Sequence, residues 1–322
     1  MTYPLLLQPA YKDYLWGGDR IPHHFHRNLP PGIYAESWEV SDRPDGMATI
    51  ANGSLAGAPL AQAIATWGSD LLGSRVPSTR FPLLIKLIDA HQKLSVQVHP
   101  DDHAAARFGG EAKTECWYIL HADPGAGIYA GFKPGVDPAA YTEAVAQGAT
   151  GQLLNRLHVH TGDTIFIPGG LVHAIDAGCL ILEVQQNSNT TYRIDDWGRV
   201  GSDGTPRELH LQQAADAIRW DLTGDPRVTP RNLTTPGGNP ARHLVHSPYF
   251  HLDQIDLHHP EPIDGFGQTF IVLFVASGSA RLDGPHGPLD LAPGSTCLLP
   301  ARLPGTTLTP TPHSDILKIT HP

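Results

Sequence analysis

Several broad classes of protein are disfavoured by what the sequence has little of. Only three cysteines occur in 322 residues. Cys116, Cys179 and Cys297 each sit in an apolar run and none has a paired spacing, so neither a disulfide framework nor a thiolate metal site is expected. A reducing compartment is the simpler setting. Basic residues are also scarce, with 22 Lys and Arg against 32 Asp and Glu and a formal charge of -10 when histidine is neutral. There is no basic run or arginine-rich tail, which argues against a nucleic-acid partner and means that an anionic ligand needs a local cationic pocket. No apolar run reaches membrane-spanning length. The start, MTYPLLLQPAYKDYLWGG, meets polar and charged residues too early for a signal peptide, so a cytoplasmic protein with no membrane partner is expected.

Glycine and proline, by contrast, are plentiful at 33 and 30 residues. They recur every ten residues or so between short apolar runs, the pattern of many strands and turns, and they predict a mainly β fold. The length allows one large β-rich domain or two smaller ones. Residues 33–52 and 81–99 read as strands separated by a helix in PLAQAIATWGSDLLG. The segment DPAAYTEAVAQGATGQLLNRL (137–157) reads as a helical insert, and GTPRELHLQQAADAIRW (204–220) as a further helix. DPRVTPRNLTTPGGNPAR reads as a linker, after which strands continue to the end. The stretch TGDTIFIPGGLVHAID (161–176) also aligns with PGSTCLLPARLPGTTL (293–308). Gly162 and Pro168 match Gly294 and Pro300, the apolar positions between agree, and His173 falls opposite Gly305. Two related β-units are inferred, of which only the first keeps the metal-type residue.

The chemistry concentrates in the first unit. In LSVQVHPDD (94–102), Gln97 and His99 stand two apart on a strand and so project from one face. With Glu115 on the next strand and His173 after a glycine-proline turn, they form a set of imidazole, carboxylate and amide donors suited to a borderline divalent cation. Such a set leaves a position open, as catalytic rather than structural sites do. Asp101 and Asp102, which precede HAAARF, read instead as helix caps.

Gly162, Pro168, Gly170 and His173 match every step of the second motif of the cupin family. The resemblance implies two jelly-roll barrels, with the metal held inside the first by strand-borne Gln97, His99, Glu115 and His173. The form Gln-x-His-Pro-Asp, with Lys113-Thr-Glu115 and the later QNSNTTYR, resembles type I mannose-6-phosphate isomerases more narrowly. That resemblance runs through YLWGG, AESWEVS, FPLLIKLIDAHQKLSVQVHPDD, KTECWYIL, FIPGGLVHAI and EVQQNSNTTYRIDDWGR, and HSPYF opens a C-terminal β-unit of the kind this family carries. It implies a catalytic unit at 1–235, a degenerate cupin unit lacking metal ligands at 236–322, and the shorter bacterial form. It further implies a Zn2+ enzyme, one ion per chain, that interconverts mannose 6-phosphate and fructose 6-phosphate through an enediolate. In two places the chain departs from the family: Asn189 stands where an aspartate is usual, and Pro168-Gly169-Gly170-Leu171 replaces the usual Pro-Ala-Gly-Thr.

The resemblance carries Arg193 onto a catalytic or phosphate-facing position, which suits a guanidinium. Lys113 shares the inward face of Glu115's strand and is a second catalytic candidate, as a base beside a cation or as a solvated strand end. Lys86, alone in LLIKLI, is either buried with a paired charge or a phosphate contact, or snorkels to the surface. Ser95, Glu36 and Glu183 are further substrate-binding candidates, Glu36 and Glu183 being alternatively holders of a lysine or arginine, and the base is left open among Lys113, Glu36 and Glu183. Trp16 is the tryptophan most suited to a sugar face; Trp38 and Trp117 read as core or pocket wall. A non-catalytic sugar-phosphate sensor and an iron-dependent cupin oxygenase are the competing readings.

Overall fold

The run LLIKLIDA explains much of the architecture, because every residue of the strand Leu83–Ala90 is buried. A strand with no solvent face is one covered on both sides. Leu83, Ile85 and Leu87 enter one apolar cluster, with Phe250, Phe270, Val272 and Leu317 from the second unit. Ile88 and Ala90 enter another, with Trp117, Ile119, Ile128, Ile165, Ile175 and Ile181. Strand alternation puts Lys86 on the second of these faces.

The computed structural model describes residues 2–76, 79–201, 203–303 and 305–322. All strand pairings among these residues are antiparallel. One sheet of six strands runs in the order Thr164–Ile167, Glu115–Ala122, Cys179–Gln186, Leu83–Ala90, Glu36–Val40, Ala10–Lys12. A five-stranded sheet runs Tyr192–Asp195, Val96–Val98, His173–Ile175, Gly127–Phe132, Leu154–His158. The isoleucine- and tryptophan-rich cluster draws on both sheets and is the interior of the first unit. The remaining strands form a ten-stranded sheet built around the long pair Ile271–Asp283 and Thr306–Thr320, with an interior of its own that includes Leu273, Val275, Leu299 and Ile316.

The two aligned stretches occupy corresponding places in the two units. Each holds a four-residue strand, Thr164–Ile167 in one and Thr296–Leu299 in the other, followed by a proline turn and a second strand beginning at His173 or Thr306. Pro304 of the second copy lies outside the described residues.

In four places the structure departs from the sequence expectations. The insert at 137–157 is α-helical only over Pro138–Ala146, capped by Asp137, whose carboxylate accepts from Ala140 N–H at 2.8 Å. Gly148 then takes φ +63°, and a Cβ at Gly151 would stand 2.5 Å from the Trp197 ring, so the chain turns and becomes the strand Leu154–His158. At 204–220 only Leu211–Ala217 is helical: Pro206 bridges Val200, Glu208 O accepts from Arg193 Nη1, and His210 meets the Arg193 backbone, its N–H donating to Arg193 O at 2.8 Å. The expected linker contains the strand Arg231–Thr234, paired with Pro240–His246 across the TPGGN turn. Leu5–Gln8 and Thr49–Ile50 lie in the ten-stranded sheet, so sheet membership does not follow the 235/236 division. Asp101 caps the helix Asp102–Phe108 by accepting from Ala104 N–H at 2.8 Å. Asp102 instead accepts from Tyr249 Oη of the second unit.

Candidate functional site

Gln97, His173 and Arg193 lie on three adjacent strands of the five-stranded sheet: Gln97 pairs with both His173 and Arg193. Glu115, Glu183, Lys86 and Glu36 lie on four adjacent strands of the six-stranded sheet, with Glu183 opposite Lys86 and Gln185 opposite Glu115. Both sets meet in the interior of the first unit. Gly170, at φ +90°, closes the turn that delivers His173, and its N–H donates to His99 O at 2.7 Å. A Cβ at Gly169 would come within 2.6 Å of Asp101 Cα, which accounts for glycine where alanine is usual: the two motif turns touch here.

His99, Glu115 and His173 offer ligand atoms that all lie within 4.8 Å of one another, and all three residues are buried. His99 Nε2 is 3.6 Å from Glu115 Oε2, and His173 Nε2 is 3.5 Å from Glu115 Oε1. The other ring nitrogens are committed. Nδ1 of His99 meets Thr190 O at 2.8 Å and Nδ1 of His173 meets Leu171 O at 2.8 Å. A carbonyl can only accept, so each Nδ1 carries the proton and each Nε2 presents a lone pair to the cluster, the outer-contact pattern of metal-binding histidines. Burial holds His173 down at about 4, and burial with the nearby Lys113 charge holds His99 well below the ordinary imidazole range. Both rings are therefore neutral at pH 7.

Gln97 completes the set, its amide 3.3 Å from His173 Nε2. A half-turn of the amide presents Oε1 to the same point, and Ser95 Oγ, 3.2 Å from the amide, can donate or accept to suit. Neither oxygen of Glu115 has an aligned hydrogen-bond donor. Lys113 Nζ nonetheless lies 2.8 Å from Glu115 Oε2 and 3.1 Å from His99 Nε2. An ammonium thus stands where the donors call for a cation, and the residues present fit a divalent ion with nitrogen and oxygen preference.

Above this floor lies a cavity of about 270 Å³ bordered by Gln97, Ser95, Lys113, Trp16, Trp117 and the residues described next. One wall is a buried charge triad. Lys86 Nζ sits 3.3 Å from Glu183 Oε2 and 3.6 Å from Glu36 Oε2. Trp38 Nε1 donates to Glu36 at 2.6 Å and Trp117 Nε1 to Glu183 at 3.1 Å. Burial works against the charge on Lys86, but Glu36 and Glu183 outweigh it and raise its pKa above the usual lysine value. Burial likewise opposes the Glu183 charge, yet Lys113 and Lys86 bring that carboxyl down to about 2. Glu115 moves the other way, pushed up to about 8 by burial and then by the Glu183 charge. Lys86 neither snorkels nor stands free for an anion, since two carboxylates already face it.

The opposite end of the cavity is cationic, with Arg193 and Arg207 on its border. Arg193 Nη1 donates to Glu208 O at 2.8 Å, its backbone N–H donates to His210 Nδ1 at 3.2 Å, and its buried Nε has no partner. Burial and then Arg207 lower the Arg193 pKa. Arg207 is steered by Asp196, whose Oδ2 accepts from its Nε at 2.8 Å. Arg207 was hidden from sequence reasoning inside a stretch read as helix; the signal available was the proline and paired charges of TPRELH. Asn189 borders the mouth, where its Nδ2 donates to Asp45 Oδ2 at 2.6 Å and its backbone N–H to Glu111 Oε2 at 3.0 Å.

Comparison with known proteins identifies the family. Residues 5–124 match the family model "Phosphomannose isomerase type I, catalytic domain". A Bacillus subtilis (strain 168) protein named "Probable mannose-6-phosphate isomerase" is 34% identical over 305 residues, covering 94% of this chain and 95% of that one. The mannose-6-phosphate isomerase of Streptococcus mutans is 38% identical over 252 residues, 78% of each chain. The crystal structure of the mannose 6-phosphate isomerase from Bacillus subtilis superposes with a TM-score of 0.90 at 31% identity over 100% of both chains. A mannose 6-phosphate isomerase crystallised with zinc and yttrium shares the fold, with a TM-score of 0.77 at 16% identity over 99% of both chains. The two β-units are accordingly of the cupin type, and the chain belongs to the type I mannose-6-phosphate isomerase family of enzymes.

Proposed function

We propose that the chain interconverts mannose 6-phosphate and fructose 6-phosphate with a divalent metal, zinc first among the candidates, held by Gln97, His99, Glu115 and His173. The observation that carries this reading is the convergence of two Nε2 lone pairs, on rings fixed through Nδ1 by backbone carbonyls, on a buried carboxyl group that an ammonium already approaches, beside a cavity bordered by Arg193 and Arg207. When bound, such an ion supplies Lewis-acid stabilisation to the sugar oxygens that become negative in the enediolate.

The protein groups divide the remaining work by charge. Arg193 and Arg207 receive the phosphate, for which the unpartnered Nε of Arg193 offers a donor. The carboxylates of Glu36 and Glu183 accept from sugar hydroxyls while Lys86 holds both in place. Ser95 steadies the amide of Gln97 and adds a hydroxyl to the cavity. Isomerisation takes a proton from carbon-2 and returns it to carbon-1. Lys113, Glu36 and Glu183 are the groups in place to carry it, all buried and all on the cavity border. Trp16 and Trp117 exclude water from that transfer.

The three cysteines are free and buried, which supports a reducing, cytoplasmic setting. Turnover by purified protein tests the reading: mannose 6-phosphate should be converted, and unphosphorylated mannose should react far more slowly because the arginine end is left unused. Conversion of neither sugar by folded, metal-loaded protein would favour the sensor. Oxygen consumption without isomerisation would favour the oxygenase.

A further inference from the structure

We propose that the second β-unit carries a divalent-metal site of its own, formed by Asp256, His258 and His313 and separate from the cluster in the first unit. Strands His251–Leu257 and Thr306–Thr320 are paired with Asp256 opposite Asp315 and Leu257 opposite Ser314. Continued one step, that register puts His258 directly across from His313. Asp256, two residues before His258, shares its face of the sheet.

The ligand atoms of the three residues lie within 4.8 Å of one another. His258 Nε2 is 3.1 Å from Asp256 Oδ2, and His313 Nε2 is 2.5 Å from Asp256 Oδ1. The imidazole rings stack, with centroids 4.6 Å apart and planes 21° from parallel. Two protonated rings at that separation repel each other, whereas a cation shared by both Nε2 atoms and the carboxylate removes the repulsion and takes up both imidazole lone pairs. Asp315, across from Asp256, adds negative charge nearby; its carboxylate is occupied by the neutral amide of Gln254 at 2.7 Å. Two imidazoles and one carboxylate at the surface make a three-ligand site completed by water, and that chemistry selects zinc and its first-row neighbours over calcium or magnesium. Bound there, the ion ties the end of one strand to its partner in the unit that has Gly305 where the first unit has His173.

Equilibrium dialysis of stripped protein against micromolar Zn2+, followed by metal analysis, tests the site. The wild type should hold one more zinc per chain than H258Q/H313Q, the difference should persist in the H173A background, and turnover should be the same with and without H258Q/H313Q. Equal zinc contents in wild type and H258Q/H313Q would overturn the proposal and leave Asp256 as a carboxylate bridging two imidazoles. Because the readout is a difference in metal bound, failure of the isomerase reading would not affect it.

Discussion

Lys86→Met is a substitution with a large expected effect on stability that leaves every proposed metal ligand intact. It removes the cation that Glu36 and Glu183 share, in a wall where Lys86 is 4% exposed and its partners stand at 3.6 and 3.3 Å, and leaves Lys113 as the remaining charge acting on Glu183. At an effective dielectric of about 20 each contact is worth about 5 kcal/mol in gross Coulomb terms. Most of that is offset by the desolvation of three charges, and a carboxylate stranded by the change can take up a proton, which caps the loss. A net destabilisation of about 3–5 kcal/mol is expected, as for other buried pairs broken from one side. Restoring neutrality should recover much of it, so E36Q/K86M/E183Q should be more stable than K86M even though it carries more substitutions. The assay is the unfolding midpoint in denaturant for wild type, K86M and the triple variant, at neutral pH and equal metal content. A loss below about 1 kcal/mol for K86M, or a triple variant less stable than K86M, would refute the reading of this wall as a mutually dependent charge triad.

Three other changes are directly checkable. R193K keeps the charge but loses the fork that reaches both Glu208 O and the cavity; kcat/KM for mannose 6-phosphate should fall by about 30- to 100-fold, about 2–3 kcal/mol of charge-assisted hydrogen bonding. Steady-state kinetics should show no comparable change for a phosphate-free substrate. Metal affinity should rise with pH from acid until about pH 8 and then level off. Glu115, raised to about 8, holds a proton that the metal must displace, while His173, lowered to about 4, is already neutral over most of that range. Competition with a chelator should give up to about a tenfold gain per pH unit, and a profile breaking near the ordinary histidine value would contradict the lowered affinity of His99 and His173 for protons. N189D places a third carboxylate beside Asp45 and Glu111; at this exposed mouth the cost should be about 1 kcal/mol, roughly fivefold in kcat/KM. D45N/N189D should recover it.

The convergence of Gln97, His99 and His173 was legible because its logic is local. Gln97 and His99 share a strand face, and the glycine-proline turn before His173 needs Gly170 in a left-handed conformation whatever lies around it. The buried strand Leu83–Ala90 was equally plain as an apolar run, but its one lysine was not. Whether Lys86 met solvent, phosphate or protein depended on Glu36 and Glu183, which reach it from neighbouring strands far away in sequence. The same limit hid Arg207: GTPRELHLQQAADAIRW has helical composition, yet residues 206–210 are drawn out along the strand of Arg193 by contacts that composition does not encode. The misread linker has a similar cause. Asn239 in its TPGGN turn accepts from the backbone N–H groups of His258 and His259 and so docks the hairpin on a strand pair that lies later in the chain.

The most direct test of the central claim is metal content and turnover measured on the same preparations of wild type, E115A and H173A. Each is assayed for conversion of mannose 6-phosphate to fructose 6-phosphate before chelation, after it and after zinc is restored. The account predicts wild-type activity that vanishes with the chelated metal and returns when zinc is restored, while E115A and H173A stay inactive at every zinc level and bind one fewer ion per chain. Undiminished turnover in chelated wild type, or in E115A, would contradict it.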